Sequence, residues 1–340
     1  MAQAKRIVLA SRPIGEPKLS DFRIEDFTPP TPGAGEVLLR TIWLSLDPYM
    51  RGRMSDAPSY SAPVPIDGVM EGGTVCEVVA SSNPGFAKGD IVLARAGWQT
   101  HSLSDGKGLR KIDPALAPIS TAVGVLGMPG MTAYTGLLDI GQPKEGETVV
   151  VAAASGAVGS AVGQIARLKG AHAVGIAGGK DKCEHVVKEL GFDACLDHRG
   201  PDFAAKLKDA CPKGIDVYFE NVGGAVFEAV FPLLNPFARM PVCGLIAQYN
   251  DTAAVTPKWA AAMMRNVLTK RLTIRGFIVS DFAARHGDFL RDMSGWVREG
   301  KVKYKEFVTE GLDSAPEAFI GLLKGANFGK QLVRVGPDKA

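Results

Sequence analysis

Ala154, Gly156 and Gly159 have the spacing of a phosphate-binding turn, with Ala157 and Val158 between the last two. Laid on the pattern GxGxxG, they take the first, second and third glycine positions. A glycine at the second position lets a pyrophosphate approach the main chain, and one at the third lets the following helix pack closely on the preceding strand. The helix N-terminus adds free N–H groups and a partial positive charge. The alternative is a turn with a packing role alone, but a strand before it and a helix after it favour a dinucleotide site.

The residues after the second strand of this unit indicate which dinucleotide fits. An NAD site places Asp or Glu about 20 residues past the glycines, where it binds the ribose. Here the strand Val174–Ala177 is followed by Gly178, Gly179, Lys180, Asp181 and Lys182, so two lysines replace the acid. Lysines favour a 2′-phosphate, and the sequence therefore predicts NADP(H). The alternative is that the two lysines belong to a solvated, charged helix start that binds no phosphate. Asp181, an acid in the same segment, keeps this alternative open.

The metal-binding residue types are scattered. The five cysteines and five histidines show neither CxxC nor HExxH spacing, so we expect no zinc and no other metal. If a substrate carbonyl is to be activated, it would then have to be polarised by hydrogen-bond donors such as a tyrosine hydroxyl.

An odd number of widely spaced cysteines is typical of reduced thiols in the cytoplasm. The short apolar stretch between Arg6 and Arg12 is too short for a signal-peptide core.

Length and composition exclude several classes of protein. The chain has 340 residues, which favours two domains, and its 46% apolar and 22% charged residues are ordinary for a globular protein. A net charge of +3 gives no reason to expect a nucleic-acid or membrane surface. Residues 148–166 are uncharged and long enough for a membrane helix. The β-branched run Val149–Val151 and the break at Ser155-Gly156 instead indicate a buried strand and a turn.

The elements that must position these residues fall into two patterns. The first 120 or so residues are rich in short strands separated by Pro/Gly turns, which is typical of a barrel or sandwich. From about residue 128, strands alternate with helices, and six such strands predict a parallel, doubly wound sheet. The predicted strands of this part are 149–153, 173–177, 194–196, 215–220, 239–243 and Leu272–Val279; the helices include 158–169, 182–190, 203–210 and Phe227–Leu234. The tail, near 331–335, is predicted to return to the first domain.

Several longer motifs identify a family. They are Leu46-Asp47-Pro48-Tyr49-Met50-Arg51, Gly127-Met128-Pro129-Gly130-Met131-Thr132-Ala133-Tyr134, Ala154–Gly159, Glu220-Asn221-Val222-Gly223-Gly224, Cys243-Gly244 with Tyr249-Asn250, Arg275-Gly276-Phe277-Ile278-Val279 and Asn327-x-Gly329-Lys330. With them the chain resembles, over nearly its whole length, the zinc-independent medium-chain dehydrogenase/reductases. Within these it resembles the leukotriene/prostaglandin reductase and alkenal double-bond reductase group, which includes bacterial curcumin reductase.

The resemblance implies an α/β fold in which a doubly wound parallel Rossmann sheet is inserted in a GroES-like, β-rich catalytic domain. The implied boundaries are 1–127 with 300–340 for the catalytic domain and 128–299 for the NADP-binding domain. It also implies a homodimer formed through the last strand of the Rossmann sheet, Leu272–Val279, which would leave an exposed sheet edge in a monomer.

The resemblance also assigns residues to NADP(H). Lys182 matches the lysine at the 2′-phosphate, and Tyr249 the tyrosine beside the nicotinamide ribose and substrate. Two departures are His198, where many members have tyrosine, and Gly179, where serine is frequent; phosphate binding would then depend on Lys180, Lys182 and Arg199. The remaining positions are Met128, Thr132, Ala154, Gly156, Ala157, Val158, Gly159, Asn221, Cys243, Gly244, Phe277, Val279, Asn327 and Gly329.

The implied reaction is reduction of the C=C bond of an α,β-unsaturated aldehyde or ketone. Hydride goes to the β-carbon, Tyr249 with the cofactor ribose hydroxyl stabilises the enolate, and a proton is added at the α-carbon. The alternative for Tyr249 is a packing tyrosine on the loop after the fifth strand. Tyr49 is expected at the mouth of the substrate site, with a turn tyrosine as the alternative. Arg51 and Arg53 are expected to be solvated, although they could attract an anionic substrate tail. A quinone reductase and a non-catalytic NADPH-binding protein remain as alternative functions.

Overall fold

The computed structural model of the chain describes residues 3–252 and 260–338. Its strands are β1 Ala4–Leu9, β2 Phe22–Phe27, β3 Val37–Ser45, β4 Thr74–Ser81, β5 Ile91–Ala94, β6 His101–Ser104, β7 Arg110–Lys111, β8 Thr148–Ala152, β9 His172–Ala177, β10 Ala194–Asp197, β11 Ile215–Phe219, β12 Leu234–Val242, β13 Thr273–Gly276, β14 Glu306–Glu310 and β15 Lys330–Arg334. Its α-helices are α1 Met50–Arg53, α2 Met128–Thr135, α3 Gly159–Leu168, α4 Lys180–Lys188, α5 Phe203–Ala210, α6 Gly224–Val230, α7 Ala260–Lys270, α8 His286–Arg298 and α9 Ala315–Leu323.

The described residues divide into two compact units. Those in Met1–Gly124, Glu306–Asn327 and Gln331–Ala340 form the first, and those in Val125–Lys305 and Phe328–Lys330 form the second. The alternation of strands and helices lies in the second unit, and the short strands with Pro/Gly turns lie in the first.

The second unit is built on a parallel six-stranded sheet in the order β10-β9-β8-β11-β12-β13. This order reverses direction between β8 and β11, which creates the switch point where ligands bind in doubly wound folds. The prediction of a doubly wound parallel Rossmann sheet is therefore confirmed.

Helices cover both faces of this sheet because alternate side chains of a strand point to opposite sides. Val149 and Val151 of β8 pack with Val162 and Ile165 of α3, while Val150 packs in the core on the opposite face. All three valines of β8 are completely buried, as expected for a central parallel strand. Among the described residues, no helix is long and apolar enough to cross a bilayer.

The first unit contains a seven-stranded sheet in which β14-β15-β3-β4-β5-β7 are neighbours and β6 also pairs with β3. The end of the chain returns to this sheet, since β15 runs antiparallel to β3 with Leu332 opposite Ser45. An aromatic cluster fills the core beside it: Trp98 stacks on Phe22 at 5.6 Å and meets Phe319 of α9 edge-on at 5.7 Å. The GroES-like part thus depends on residues from both ends of the chain.

The last strand of the parallel sheet is shorter than predicted. The pattern suggested Leu272–Val279, whereas β13 covers only Thr273–Gly276. Asp281 accepts a hydrogen bond from the Ile278 N–H at 3.3 Å, and its own N–H donates to the Ile278 carbonyl at 3.0 Å. These bonds begin a 3-10 turn over Val279–Arg285, which stops the strand.

One helix and one strand boundary also differ from the prediction. Helix α6 covers Gly224–Val230 where Phe227–Leu234 was predicted, because Pro232 lacks the N–H that would continue the helix. Strand β12 begins at Leu234, five residues before the predicted start at Arg239.

Candidate functional site

The glycine-rich turn joins β8 to α3 in the second unit. A Cβ atom on Gly159 would lie 2.3 Å from the Ala153 carbonyl oxygen, so only glycine lets α3 start this close to the strand. Among the described residues, a Cβ on Gly156 would meet the same oxygen at 3.2 Å, and Gly156 is partly exposed. Ala157 and Val158 are also partly exposed. The turn therefore leaves main chain accessible at the second glycine position, as a pyrophosphate requires.

Alanine at the first glycine position is accommodated by a neighbouring glycine. The Ala154 methyl is completely buried, and a Cβ on Gly175 of β9 would lie 2.8 Å from it. The Ala154 N–H donates to the Ile176 carbonyl at 2.9 Å. A glycine in β9 thus makes the room that GxGxxG motifs obtain from their own first glycine.

Gly329 lies beside the same turn. Its N–H donates to the Ser155 carbonyl at 3.2 Å, and it forms a parallel bridge with Gly156. Its φ is +84°, and a Cβ would lie 2.2 Å from the Lys305 carbonyl oxygen, so both backbone conformation and space demand glycine.

A cationic cluster lies just after the carboxyl ends of β9 and β10. It consists of Lys182 and Arg199, with His198 beside them. The Arg199 guanidinium lies 3.1 Å from where a Gly178 Cβ would stand. Burial first, and then Arg199, lowers the pKa of Lys182. The pKa of His198 is lowered by burial, by Arg199 and by Lys182, against the opposing effect of Asp197. Mutual repulsion of this kind is relieved when an anion binds, as a 2′-phosphate would.

Asp197 at the end of β10 holds this cluster in place. Its Oδ1 accepts hydrogen bonds from the N–H groups of Gly179 and Arg199, both at 3.0 Å. These two bonds lower the pKa of the Asp197 carboxyl. The sequence reasoning missed this residue, although an aspartate ending a predicted strand just before His198 and Arg199 was visible.

Lys180 lies apart from the cluster. Its side chain is 85% exposed and its Nζ is 3.7 Å from Glu184, one helical turn away. Lys182, two positions on, is turned by about 200° around the helix axis. The structure therefore groups Lys182 with His198 and Arg199, and it directs Lys180 toward Glu184.

The segments after β11 and β12 meet at the same edge of the sheet. The Asn221 side-chain amide donates to the Ala152 carbonyl at 2.8 Å. The Cys243 N–H donates to the Glu220 carbonyl at 2.9 Å. Burial and the nearby Glu220 raise the pKa of the Cys243 thiol to about 12, so this thiol is protonated and unreactive at neutral pH.

Glu220 is a buried carboxylate that the sequence reasoning did not single out as a site residue. Its Oε1 accepts the N–H groups of Val222 at 2.6 Å and Gly223 at 2.9 Å, and its Oε2 accepts the Tyr218 hydroxyl at 3.0 Å. Burial raises its pKa against the effect of these bonds. Through these hydrogen bonds, Glu220 holds in place the main chain that follows Asn221.

Tyr249 lies on the 3-10 turn after β12, half-buried. Its hydroxyl accepts a hydrogen bond from the Leu245 N–H at 3.3 Å. A Cβ on Gly244 would lie 2.9 Å from the same hydroxyl, so glycine at 244 makes room for it. The ring thus folds back over the segment that follows Cys243, at the carboxyl end of the parallel sheet.

Four further predicted cofactor residues lie in the second unit. The Thr132 hydroxyl donates to the Met128 carbonyl at 2.8 Å, within α2. The Phe277 ring meets Phe219 edge-on at 6.3 Å and fills the space that a side chain at Gly136 would need. Val279 starts the turn after β13.

Tyr49 and Asn327 belong to the first unit. Tyr49 precedes α1 and is largely buried, and the Arg53 guanidinium carbon lies 5.6 Å from its ring centre. Burial, Asp47 and Glu71 raise its pKa, so its hydroxyl keeps its proton at neutral pH. Asn327 follows α9 and is half-buried.

Arg51 and Arg53 are not the solvated side chains that we expected. Both are buried, with 6% and 4% of their surface exposed. Arg51 donates to the Gly15 carbonyl at 2.8 Å. Arg53 pairs with Glu71 at 2.6 Å and lies 4.4 Å from the centre of the Tyr60 ring. They fasten the loops around α1, because each guanidinium contacts residues outside that helix.

Comparison with known proteins gives consistent matches over the whole chain. Residues 5–112 match the family model described as N-terminal domain of oxidoreductase, and residues 157–294 match the one described as zinc-binding dehydrogenase. The chain is 57% identical over 336 residues to the NADPH-dependent curcumin reductase of Escherichia coli strain K12, covering 98% of this chain and 97% of that protein. It is 42% identical over 339 residues to prostaglandin reductase 1 of Bos taurus, covering 98% and 100%.

A solved structure agrees with these matches. The crystal structure of CurA from Vibrio vulnificus in complex with NADPH superposes with a TM-score of 0.95 at 54% identity, covering 98% of this chain and 100% of that one. The chain belongs to the zinc-independent medium-chain dehydrogenase/reductases. Within this family it is grouped with the curcumin, prostaglandin and 2-alkenal reductases.

The description of the second family model mentions zinc, although this family is zinc-independent. Across residues 3–252 and 260–338, no group of three or more His, Cys, Asp or Glu side chains is placed to hold a metal ion.

Proposed function

We propose that the protein is an NADPH-dependent reductase of the C=C bond in α,β-unsaturated aldehydes and ketones. The observation that carries the proposal is the Tyr249 hydroxyl, held against Gly244 at the carboxyl end of the sheet that also bears the glycine-rich turn. The matches to a curcumin reductase and a prostaglandin reductase support the same reaction class.

The residues of the second unit fit NADP(H). The main chain at Gly156 is partly exposed, as a pyrophosphate requires, and Lys182 and Arg199, with His198 beside them, supply positive charge for the 2′-phosphate. The absence of an acid at the end of β9 removes the usual partner of an unphosphorylated ribose. When bound, NADPH supplies the hydride that the substrate accepts at its β-carbon.

The protein's own part is to stabilise charge and to orient the substrate. As hydride reaches the β-carbon, negative charge moves to the carbonyl oxygen, and a hydroxyl aimed at that oxygen stabilises it. We assign this role to Tyr249, together with the ribose hydroxyl. Tyr49, whose raised pKa keeps its hydroxyl protonated, is assigned to the wall of the substrate site.

Two alternative functions make different predictions. A quinone reductase would share this metal-free architecture but release a hydroquinone. A non-catalytic NADPH-binding protein would bind the dinucleotide without oxidising it. The Tyr249 hydroxyl favours the double-bond reductase over the quinone reductase. A binding-only role is disfavoured because the chain has a matching residue at each site position of the family.

The test is NADPH oxidation with enals, enones and quinones, followed by product identification. NADPH deuterated at the transferable position should give a saturated carbonyl with deuterium on the former β-carbon. Allylic alcohols, hydroquinones as the preferred products, or no turnover with any of the three classes would contradict the proposal.

A further inference from the structure

Two cysteines lie directly behind the cationic cluster. Cys183 is in the first turn of α4, next to Lys182, and Cys195 is on β10, two residues before Asp197. Each of the two thiols shifts the pKa of the other, which indicates that the two side chains are neighbours.

The sheet register explains why the thiols meet. Cys195 pairs with Gly175 of β9. A Cβ on Gly175 would lie 3.2 Å from the Cys195 sulfur and 3.0 Å from a Val186 methyl of α4. The missing side chain therefore leaves room for the Cys195 thiol beneath α4, where Cys183 is within reach.

The two thiols are unequal. The neighbouring Cys195 thiol lowers the pKa of Cys183, and a helix N-terminus stabilises a thiolate further. The pKa of Cys195 is raised by the same contact and by burial, so it remains a thiol. Both residues are partly exposed. Burial raises the pKa values of Cys76, Cys211 and Cys243, which sets Cys183 apart from these three cysteines.

We propose that Cys183 and Cys195 form a reversible oxidation site for hydroperoxides, and that their disulfide weakens NADPH binding. The proposal rests on the function proposed above. The Cys183 thiolate attacks a peroxide oxygen, the O–O bond breaks, and sulfenic acid forms with release of water or an alcohol. The Cys195 thiol then attacks the Cys183 sulfur, the S–S bond forms and a second water leaves. Two thiols lose two electrons, and the peroxide gains them.

The disulfide would act through the position of Lys182. Bond formation brings the two sulfur atoms to about 2.05 Å from each other, and in this proposal the first turn of α4 moves toward β10 with them. Lys182 lies on that turn, whereas Arg199 is held at the end of β10 by Asp197. The movement changes the spacing between the two cations, and a charge-assisted contact to phosphate is sensitive to such a change.

The experiment compares wild type with Cys183→Ser, Cys195→Ser and the matched control Cys211→Ser, after hydrogen peroxide and then dithiothreitol. Non-reducing peptide mapping by mass spectrometry detects the cross-link, and fluorescence titration gives the Kd values of NADPH and NADH. Wild type and Cys211→Ser should form the 183–195 cross-link and lose about tenfold or more in NADPH affinity. NADH affinity should change much less, and dithiothreitol should restore both.

Cys183→Ser should keep its NADPH affinity after peroxide treatment. Cys195→Ser should not form the cross-link, and it should show no loss of NADPH affinity that dithiothreitol reverses. Thermal melting is recorded first, and an alanine variant replaces any serine variant that is unfolded. The proposal is overturned by absence of the cross-link, by a cross-link that leaves NADPH affinity unchanged, or by an equal loss in Cys183→Ser. Peptide mapping detects the cross-link without any bound nucleotide. A wrong NADPH assignment would instead appear in untreated Lys182→Ala, as an unchanged affinity for NADPH, so the two failures can be distinguished.

Discussion

The Tyr249 hydroxyl lies against Gly244, where a Cβ atom would approach it to 2.9 Å. The same hydroxyl accepts a hydrogen bond from the Leu245 N–H at 3.3 Å, and a phenolic hydroxyl is a donor as well as an acceptor. A tyrosine in this arrangement can donate to a developing oxyanion while its ring position is set by the turn. The absence of a side chain at residue 244 is thus part of how the hydroxyl is placed.

Replacing Tyr249 with Phe should lower turnover about 10²-fold, with NADPH affinity nearly unchanged. Loss of one donor to a developing negative charge costs about 2.7–4 kcal/mol, and the ribose hydroxyl shares the task, so we expect the lower end. Turnover and NADPH affinity are measured side by side. Unchanged turnover would make Tyr249 a wall residue, and lost NADPH binding would make it a cofactor residue.

Gly244→Ala provides a second test of the same contact. The added methyl should displace the hydroxyl, so turnover falls although the hydroxyl is still present. If both changes act through this hydroxyl, the double variant Gly244→Ala/Tyr249→Phe should lose little more turnover than Tyr249→Phe alone. Additive losses would show that Gly244 acts in another way.

Replacing Lys182 with Ala should raise the KM for NADPH about tenfold or more and leave that for NADH nearly unchanged. One charge-assisted contact, worth about 1.5–3 kcal/mol, would be removed, and only NADPH has the phosphate. Lys180→Ala is the matched control, because its exposed side chain pairs with Glu184. Equal losses for both nucleotides, or an equal effect of the Lys180 variant, would contradict the assignment.

The parallel sheet could be predicted because its signals are local. Three consecutive β-branched residues, Val149–Val151, mark a buried strand, and Gly159 marks the start of the helix that follows. The pairing of β15 with β3 depends instead on residues such as Leu332 and Ser45, which are distant in sequence. Hydrophobic pattern suggested the return of the tail but could not supply its partner or register.

The residue types that form the site could be predicted from the sequence. The directions in which their side chains point could not. Lys180 and Lys182 looked equivalent as two cations after a strand. Their helical phase distinguishes them, since Val186, four residues after Lys182, is buried and Glu184, four residues after Lys180, is half-exposed. The burial of Arg53 was not predictable, because it depends on Glu71 and Tyr60 in separate loops.

Activity should survive exhaustive chelation, and the purified protein should contain no stoichiometric zinc. The expectation follows from the scattered Cys and His residues and from a carbonyl polarised by Tyr249. Elemental analysis and assays after treatment with EDTA or 1,10-phenanthroline provide the measurement. Activity that is lost on chelation and restored by zinc would refute the prediction.

The protein should be a homodimer through the edge of the parallel sheet. Among the described strands, β13 is the last of the parallel sheet and pairs with β12, and an edge strand favours pairing with a second copy. Light scattering at micromolar concentration should give twice the chain mass of 35.9 kDa. Thr273→Lys, at an exposed position of β13, should lower the dimer fraction, whereas Leu116→Lys, exposed in the other unit, should not. A monomeric mass for wild type would contradict the prediction.

NADPH binding should strengthen as the pH falls from about 8 to about 6.5, with no matching trend for NADH. Burial, Arg199 and Lys182 lower the pKa of His198 against Asp197, so His198 is neutral at pH 7 before the dinucleotide binds. A 2′-phosphate dianion beside it favours the protonated form and raises its pKa, and binding therefore takes up a proton. Below about pH 6 the phosphate itself takes up a proton, which limits the window.

Titrations of both nucleotides over this range, with wild type and His198→Gln, test the linkage. A shift of one pKa unit corresponds to about 1.36 kcal/mol, so the Kd ratio of NADH to NADPH should change up to about tenfold in wild type. His198→Gln keeps a polar side chain but cannot take up the proton, and it should flatten the NADPH curve. Parallel curves for the two nucleotides, or an unchanged slope in His198→Gln, would show that His198 does not face the phosphate.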